Sequence, residues 1–494
     1  MLGRVVASVA LFAAIGLAPS LASAQSPPAA PDKIAVGDWL LSPLFELRTR
    51  GEYRRDAPDL GGFDDFGRLT PRVRDAWVVL NRARLGLGVE RGPVAGQITL
   101  QDARALGSPS PTGTLAVSRG ISKFEPYEAY LMMRSSSARP TYLKLGRQAV
   151  VWGEGRLVGN ADFGPAGRSL DAVRGHFAVG NFDFEGLAVL LELPGPLGTP
   201  VDDRRGPARS GIQLYGLTAK WSIDPLLKLE LFGLARIARG SGENLDGSRF
   251  ALSRLAGEQI TTALRVSGEA KGWTYGVEGA YQFGTVKSIG PGGSRIAAYA
   301  ASAHVSKTLN DVALTPTIRL AGSHASGDGD DTDDTYNQFD PILADPQRFH
   351  GQMDLLAWSN MVDMSARATI VPWTDTTFGI EYRYAALSRA KGDWVGSYLT
   401  TIGRAAPPPG YAQAGYAPVT GTSSSELGHE IDAVFTWRPW VPLELKVGWS
   451  GMFLGDGARA IMAQYARGRA EADASITSAK LAQYAFGQAT LTMP

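Results

Sequence analysis

Residues 141–177 form an arginine-rich segment that reads TYLKLGRQAVVWGEGRLVGNADFGPAGRSLDAVRGHF. A guanidinium group is a planar fork that can donate two parallel hydrogen bonds to one carboxylate or phosphate. The segment begins and ends like a β-strand, and its centre is rich in glycine. We therefore predict a hairpin whose loop presents guanidinium groups to an anion. Its arginines are Arg147, Arg156, Arg168 and Arg174.

The composition limits the classes of protein that could use such a segment. The chain has 494 residues, no cysteine and a formal net charge of +1. The missing cysteines exclude disulfides and thiolate metal sites. The balanced charge argues against a nucleic-acid-binding protein, which normally carries a basic excess. After the N-terminus no run of about 20 apolar residues occurs, so a helical membrane protein is not expected.

The N-terminus predicts export from the cytoplasm. Residues 1–4 are a short basic region, residues 5–17 are apolar, and Ala22-Ser23-Ala24 places small residues before Gln25. This order is typical of a secretory signal peptide. We expect a signal peptide at 1–24, a flexible leader at 25–38 and a single domain at 39–494.

Alternation with period two recurs along most of that domain. In residues 45–54, Phe45, Leu47, Thr49 and Tyr53 share one face, whereas the other face is charged. Residues 312–320, 378–384 and 443–449 repeat the pattern. Such segments are typical of β-strands with one apolar and one polar face.

The breaks between these strands alternate in length. Short breaks are predicted at 91–93, 135–140, 222–225, 270–272, 309–311, 372–375 and 438–442. Long polar segments are predicted at 55–75, 107–123, 153–169, 194–210, 238–257, 324–360, 388–428 and 455–478. Tight turns at one rim and long loops at the other are typical of transmembrane β-barrels. The sequence predicts an all-β fold, a transmembrane antiparallel β-barrel of about 18 strands with long extracellular loops and short periplasmic turns. A barrel of that size leaves an aqueous channel.

The polar faces of the strands would point into this channel. Glu46, Glu52, Glu381 and Glu430 have the same parity as the strand arginines, so a wall of mutually neutralised pairs remains an alternative to a selective path. The hairpin loop could form a constriction or lie outside as a solvated loop. The candidate pore-lining or substrate-binding residues are Arg48, Arg50, Arg82, Arg84, Arg104, Arg147, Arg156, Arg168, Arg174, Arg265, Arg319, Arg367 and Arg383.

Signals for a metal site or for catalysis are weak. Asp328, Asp330 and Asp333 could bind calcium, but the run lacks the glycine and the later glutamate of an EF-hand, and a solvated loop is the alternative. No H-E-x-x-H motif, G-x-S-x-G motif or phosphate-binding loop occurs. We expect no resident metal, no cofactor and no enzymatic activity.

Four segments resemble the alginate-export family of outer-membrane barrels. They are ITLQDARALG at 98–107, LKLGRQAVVWGEGRLVGNADFGPAGRSLDAVR at 143–174, residues 325–361 and LGHEIDAVFTWRP at 427–439. The resemblance extends over nearly the whole mature chain. One departure is Pro494 at the end, where such barrels usually have an aromatic residue.

The resemblance implies a location in the outer membrane of a Gram-negative bacterium and a channel for an anionic polysaccharide, alginate-like or otherwise rich in uronate. Passive uptake of small anionic solutes is the alternative, because export and uptake use the same pore chemistry. The expected partners are the anionic polysaccharide or small anions, outer-membrane lipid and a periplasmic secretion protein. No nucleic acid is expected.

Overall fold

The structure is a computed structural model. It describes residues 33–60, 62–63, 69–70, 73–108, 123–192, 212–238, 257–287, 293–329, 333–345, 347–396, 401–404, 424–467 and 479–493. The predicted signal peptide, most of the leader, Asp330 and Pro494 lie outside these ranges. No described helix is long and apolar enough to cross a membrane.

The described residues form 24 strands and one helix, Asp456–Arg467. The strands are β1 (Ile34–Val36), β2 (Trp39–Arg55), β3 (Gly62–Phe63), β4 (Leu69–Thr70), β5 (Asp75–Arg91), β6 (Val94–Ser108), β7 (Lys123–Arg134), β8 (Tyr142–Gln148), β9 (Leu170–Val179), β10 (Phe182–Glu192), β11 (Ile212–Asp224), β12 (Leu227–Ala238), β13 (Gly257–Ala270), β14 (Trp273–Lys287), β15 (Gly293–Thr308), β16 (Thr317–Ala325), β17 (Thr335–Tyr336), β18 (Met361–Ile370), β19 (Thr376–Leu387), β20 (Asp393–Val395), β21 (Thr401–Arg404), β22 (Glu426–Trp440), β23 (Leu443–Leu454) and β24 (Leu481–Met493).

A closed antiparallel barrel accounts for most of these strands. The large sheet contains 20 described strands, and leaving out the short β1 and β17 gives 18. Neighbours in sequence pair with each other around the sheet, and β2 closes it by pairing with both β5 and β24. The closing register places Phe45 opposite Met493. The predicted fold and strand number are confirmed.

The lengths of the connections also follow the prediction, with two omissions. The predicted loop 55–75 joins β2 to β5, and the predicted turn 270–272 joins β13 to β14. The prediction missed the turn at Gly180 and Asn181 between β9 and β10, where Gly180 has a φ of +55° that suits a glycine. It also missed the break between Lys287, where β14 ends, and Gly293, where β15 begins.

The two faces of the barrel have opposite polarity. On β2 the side chain of Leu47 points outward and this residue is 43% exposed, whereas the side chain of its neighbour Arg48 points inward and that residue is 5% exposed. On β19, Ile380 is exposed outside and Arg383 is buried inside. Exposed tryptophans lie near strand ends on the outside, among them Trp77, Trp273 and Trp440. An apolar outer band with a polar interior is what a barrel in a bilayer requires.

Candidate functional site in the barrel lumen

Residues 149–169, which we call inner loop A, fold into the barrel. Val150, Leu157 and Val158 of this loop are buried against side chains of the wall. Trp152 lies against Gly216 of β11, where an added Cβ would meet the indole at 2.5 Å. The wall therefore needs a glycine at 216 to accept the loop, and the arginine-rich hairpin contributes to the interior of the barrel.

The segment 326–360, described apart from 330–332 and 346, enters the lumen from the opposite wall as inner loop B. It pairs with inner loop A through a β-bridge between Val158 and Leu343. The backbone N–H of Gly159 donates to the oxygen of Leu343 at 2.8 Å. Phe339 and Trp358 of inner loop B pack edge to face with ring centroids 5.3 Å apart. The two loops thus form one apolar cluster across the middle of the lumen.

Inner loop A is fixed by a set of arginines that we call the basic wall: Arg48 and Arg50 of β2, and Arg82 and Arg84 of β5. Arg48 donates to the backbone oxygens of Asp162 at 2.7 Å and Gly164 at 2.5 Å. Arg50 donates to the backbone oxygen of Phe163 at 2.7 Å.

Arg82 and Arg84 bind the same loop through its carboxylate. Arg82 Nη1 lies 3.1 Å from Asp162 Oδ1, and Arg84 Nη1 lies 3.0 Å from the same oxygen. Burial alone would raise the pKa of Asp162, but the three guanidinium groups of Arg82, Arg84 and Arg48 hold this pKa well below its usual range. Most hydrogen-bond donors of the basic wall are therefore bonded to other groups of the protein.

Inner loop B is held by an acidic wall on β18, β19 and β22, composed of Asp363, Glu381, Glu430 and Asp432. Glu430 Oε1 accepts the backbone N–H of Met353 at 3.1 Å. Asp432 Oδ2 accepts the backbone N–H of Gln352 at 3.4 Å. Arg383 lies inside this wall and forms ion pairs with Asp363 and Glu381. Arg383 is thus neutralised by its neighbours.

Four further predicted residues lie inside the barrel with partners. Arg174 pairs with Glu185 at 2.7 Å, and Arg265 pairs with Glu230 at 2.5 Å. Arg168 donates to the backbone oxygen of Leu343 at 2.6 Å, which ties the two inner loops together. Arg156 stacks on the ring of Phe349 at 4.0 Å, and burial lowers its pKa to about 10.

A second group of cations, the cation cluster, is only partly neutralised by its neighbours. Arg319 of β16 is directly opposite Arg367 of β18, and Arg319 makes no hydrogen bond or ion pair with another described residue. The carboxylate of Glu154 in inner loop A and the guanidinium of Arg348 in inner loop B are both close enough for their charges to act on Arg319. Lys446 of β23 completes the cluster, near Arg367 and without an ion pair to a described residue. Of the four, Arg367 pairs with Glu381.

Only two of the four residues of the cation cluster were predicted from the sequence. Arg319 and Arg367 were predicted from strand parity, but Arg348 and Lys446 were missed. Lys446 lies on the inward-facing side of β23, so strand parity could have identified it. It was missed because only arginines were considered as candidates. Arg348 follows an aspartate and a proline in a loop, where nothing in the sequence indicates its direction.

Arg104 and Arg147 differ from the expectation. Arg104 shares the parity of the exposed Leu106 on β6, is itself 55% exposed, and pairs with Asp102 at 2.8 Å. Arg147 shares the outward parity of Leu145 on β8 and pairs with the exposed Asp171 at 3.1 Å. Both arginines lie on the outer surface, because the strand register turns these positions away from the lumen. The expectation that they line the pore is corrected.

The acidic run of inner loop B forms no metal site among the residues that can be described. Asp328 is buried, whereas Asp333 is exposed and accepts the backbone N–H of Thr335 at 2.8 Å. Across the described ranges, no three His, Asp or Glu side chains are arranged to hold a metal ion.

Comparison with known proteins agrees with this architecture. The alginate-export family matches residues 230–470, which include the inner loop B segment 325–361 and the segment 427–439. The predicted resemblance is confirmed there, although the segments at 98–107 and 143–174 lie outside the match. The protein is an outer-membrane β-barrel channel. None of the curated proteins compared with the chain matches it.

Solved structures share the fold at low sequence identity. The chain is similar to Acinetobacter baumannii OccAB2, with a TM-score of 0.51 and 12% identity, over 91% of this chain and 97% of that one. It is also similar to Pseudomonas aeruginosa OccK2 (OpdF), with a TM-score of 0.50 and 10% identity, over 92% and 97% of the two chains. The match to the alginate-export family, together with this fold, places the channel in a Gram-negative outer membrane. Its long loops lie on the extracellular side by the general rule for such barrels.

Proposed function

We propose that this channel is anion-selective and passes a uronate-containing polysaccharide of the alginate type. The observation that carries the proposal is the cation cluster, in which Arg319, Arg348 and Lys446 form no ion pair with a described residue. Carboxylates act on them only from beyond ion-pair distance, among them Glu154, Asp345 and Glu444. Like charges directly opposite, as in Arg319 and Arg367, are unfavourable unless an anion lies near them. A carboxylated sugar supplies that anion.

The position of the cluster suits this role. Arg319, Arg367 and Lys446 each lie within a few residues of the turn end of their strands, which is the periplasmic end. Charged side chains in a pore with poorly polarisable walls focus the electric field and raise the local concentration of counter-ions. A polymer arriving from the periplasm would therefore meet the cations before it meets the inner loops.

Uptake of small anionic solutes is the second candidate. It is favoured by inner loops A and B, which meet in the middle of the lumen and leave less room for a polymer than for a small acid. Both candidates need the same cation cluster. They differ in whether the inner loops move aside. Export as the direction of transport, with a periplasmic secretion protein as partner, is part of the first candidate.

We propose further that the chain is not an enzyme and needs no cofactor. The buried acids Glu430 and Asp432 accept hydrogen bonds from inner loop B, and Asp363 is bound to Arg383. These carboxylates thus have structural partners. The signal peptide at 1–24 and a leader at 25–38 remain proposals from the sequence. The expected flexibility of that leader is wrong at residues 34–36, which form β1 and pair with β2.

The test uses the full mature chain in planar bilayers and in liposomes. Under a salt gradient we expect a reversal potential that indicates preference for chloride over potassium, and concentration-dependent block by a galacturonate hexamer. Liposomes carrying the protein separate the two candidates, because the first predicts passage of the hexamer and the second predicts passage of galacturonate monomer alone. A cation-preferring channel without hexamer block would contradict both.

A further inference from the structure

Asp162 occupies a site built for a carboxylate. Arg82 and Arg84 both approach its Oδ1, at 3.1 and 3.0 Å, and Arg82 Nη2 lies 3.3 Å from Oδ2. Arg48 adds a bond to the backbone oxygen of the same residue. The guanidinium groups are nearly fully buried, whereas the Asp162 side chain is 45% exposed. The anion end of the site therefore opens to the lumen.

The strand register explains why an anion is needed there. Arg48 and Arg82 are directly opposite each other on β2 and β5, and Arg84 is opposite Glu46. Glu46 pairs with Arg82 at 2.6 Å but cannot neutralise three arginines. The strands alone leave an excess of positive charge, which Asp162 reduces from inner loop A.

Asp162 is supplied by a loop under backbone constraint. Ala161, just before it, has a φ of +48°, which side-chain-bearing residues rarely adopt. Gly167 has a φ of +69°, and a Cβ there would meet Arg84 Nη2 at 2.9 Å. The loop is thus pressed closely onto the arginines in a conformation that its contacts must maintain.

We infer that Asp162 is an internal stand-in for a substrate carboxylate, and that a uronate polymer displaces it from Arg82 and Arg84 as it enters. This inference rests on the proposed function. A uronate carries the same carboxylate, so the exchange replaces one charge-assisted pair of hydrogen bonds by another. Displacement frees the side chain of Asp162 from Arg82 and Arg84 and so loosens residues 161–168, which are then held only by the remaining bonds, among them those from Arg48 and Arg50 to their backbone oxygens.

A tethered carboxylate has a high effective concentration at its site, so a monomeric acid competes poorly with it. A polymer offers several carboxylates at once and competes through multivalency. The site therefore favours chains over single sugars, which gives the narrowed lumen a way to admit a polymer.

The first experiment compares D162N with wild type and with D171N, in bilayers containing the full mature chain. D171N is a matched control, because it removes an aspartate that pairs with an arginine at the same 3.1 Å but on the outer surface. We expect the galacturonate hexamer to block D162N at a concentration about tenfold or more lower than wild type, since a hydrogen-bonded charged competitor is gone. Galacturonate monomer should begin to block D162N alone.

The second experiment needs no variant and covers the case in which D162N does not form a heat-modifiable barrel. Hydrogen exchange of the wild type should become faster in residues 161–168 when the hexamer is added, while exchange in β2 and β5 stays unchanged. Wild type that is blocked by hexamer, with equal block of D162N and D171N or no change in exchange at 161–168, overturns the inference alone. Wild type that neither prefers anions nor responds to hexamer overturns the proposed function and this inference together.

Discussion

The lumen contains two groups of cations that look alike in the sequence and differ in their surroundings. Arg82 of the basic wall is buried and bound to Glu46 and Asp162. Arg319 of the cation cluster faces another arginine and binds no described side chain. An arginine that already has carboxylate partners holds structure together, whereas one without a partner attracts mobile anions. Strand parity finds both groups, but only the partners tell them apart.

The largest expected effect comes from breaking the basic wall. In R82A, Glu46 and Asp162 lose one guanidinium partner but keep Arg84, and Asp162 is partly exposed, so we expect a cost below that of breaking a fully buried pair, which is about 3–5 kcal/mol. We expect a lower unfolding midpoint in detergent and larger, noisier conductance as inner loop A comes free. Differential heat modification and single-channel recording measure the two effects. R104A, which removes an exposed arginine on the outside, serves as the control, and equal losses in both variants would contradict a structural role for the basic wall.

Breaking the cation cluster should change selectivity and leave stability nearly intact. The double variant R319E/R348E reverses two charges that hold no described partner, so we expect the reversal potential to shift from anion preference toward cation preference. Neither arginine forms an ion pair with a described residue, so the double variant should cost less than the loss of a buried pair, and the unfolding midpoint should stay closer to wild type than that of R82A. R104E carries a reversed charge on the outer surface and should keep the wild-type reversal potential. If R104E and R319E/R348E shift it equally, the cluster does not set selectivity.

Inner loop B should respond to pH, in contrast to the arginine-bound inner loop A. Burial raises the pKa of Asp354 to about 8, above its ordinary value of 3.8. The packed, neutral form is then fully stable below about pH 4, and this contribution is lost as the pH rises toward 8. After correction for intrinsic exchange rates, we expect faster hydrogen exchange in residues 350–358 at pH 8 than at pH 5.

The D354N variant tests the cause of this dependence. An amide of similar shape does not ionise, so exchange in inner loop B should become nearly independent of pH between 5 and 8, after correction for intrinsic exchange rates. Residues 161–168 provide an internal reference within the same protein. A pH dependence that persists unchanged in D354N would assign the effect to another group.

The sequence predicted the barrel well because the bilayer imposes a strong pattern. The outer positions, such as Leu47 and Ile380, must be apolar, so the period-two alternation identifies them in the sequence. The interior could not be predicted to the same degree. Arg82 pairs with Glu46 on the neighbouring strand, but its second partner, Asp162, lies 80 residues away in a loop, and only the folded chain brings these two together. The same holds for Arg348, whose direction is set by the packing of inner loop B.

The smallest effect is expected from Arg147, and it sharpens the distinction between the two faces. Arg147 and Arg174 are both in the arginine-rich segment, but Arg147 points outward to Asp171 and Arg174 points inward to Glu185. R147Q should keep both the reversal potential and the block by galacturonate hexamer, because lumenal ions do not approach its charge. R174Q removes the ion pair of Glu185, which keeps its hydrogen bonds from Tyr142 and Trp152, and leaves its negative charge in the lumen uncompensated. We expect a slightly weaker anion preference, measured as a small shift of reversal potential under a salt gradient. A larger shift in R147Q than in R174Q would mean that the register of β8 places its side chains on the opposite faces from those described.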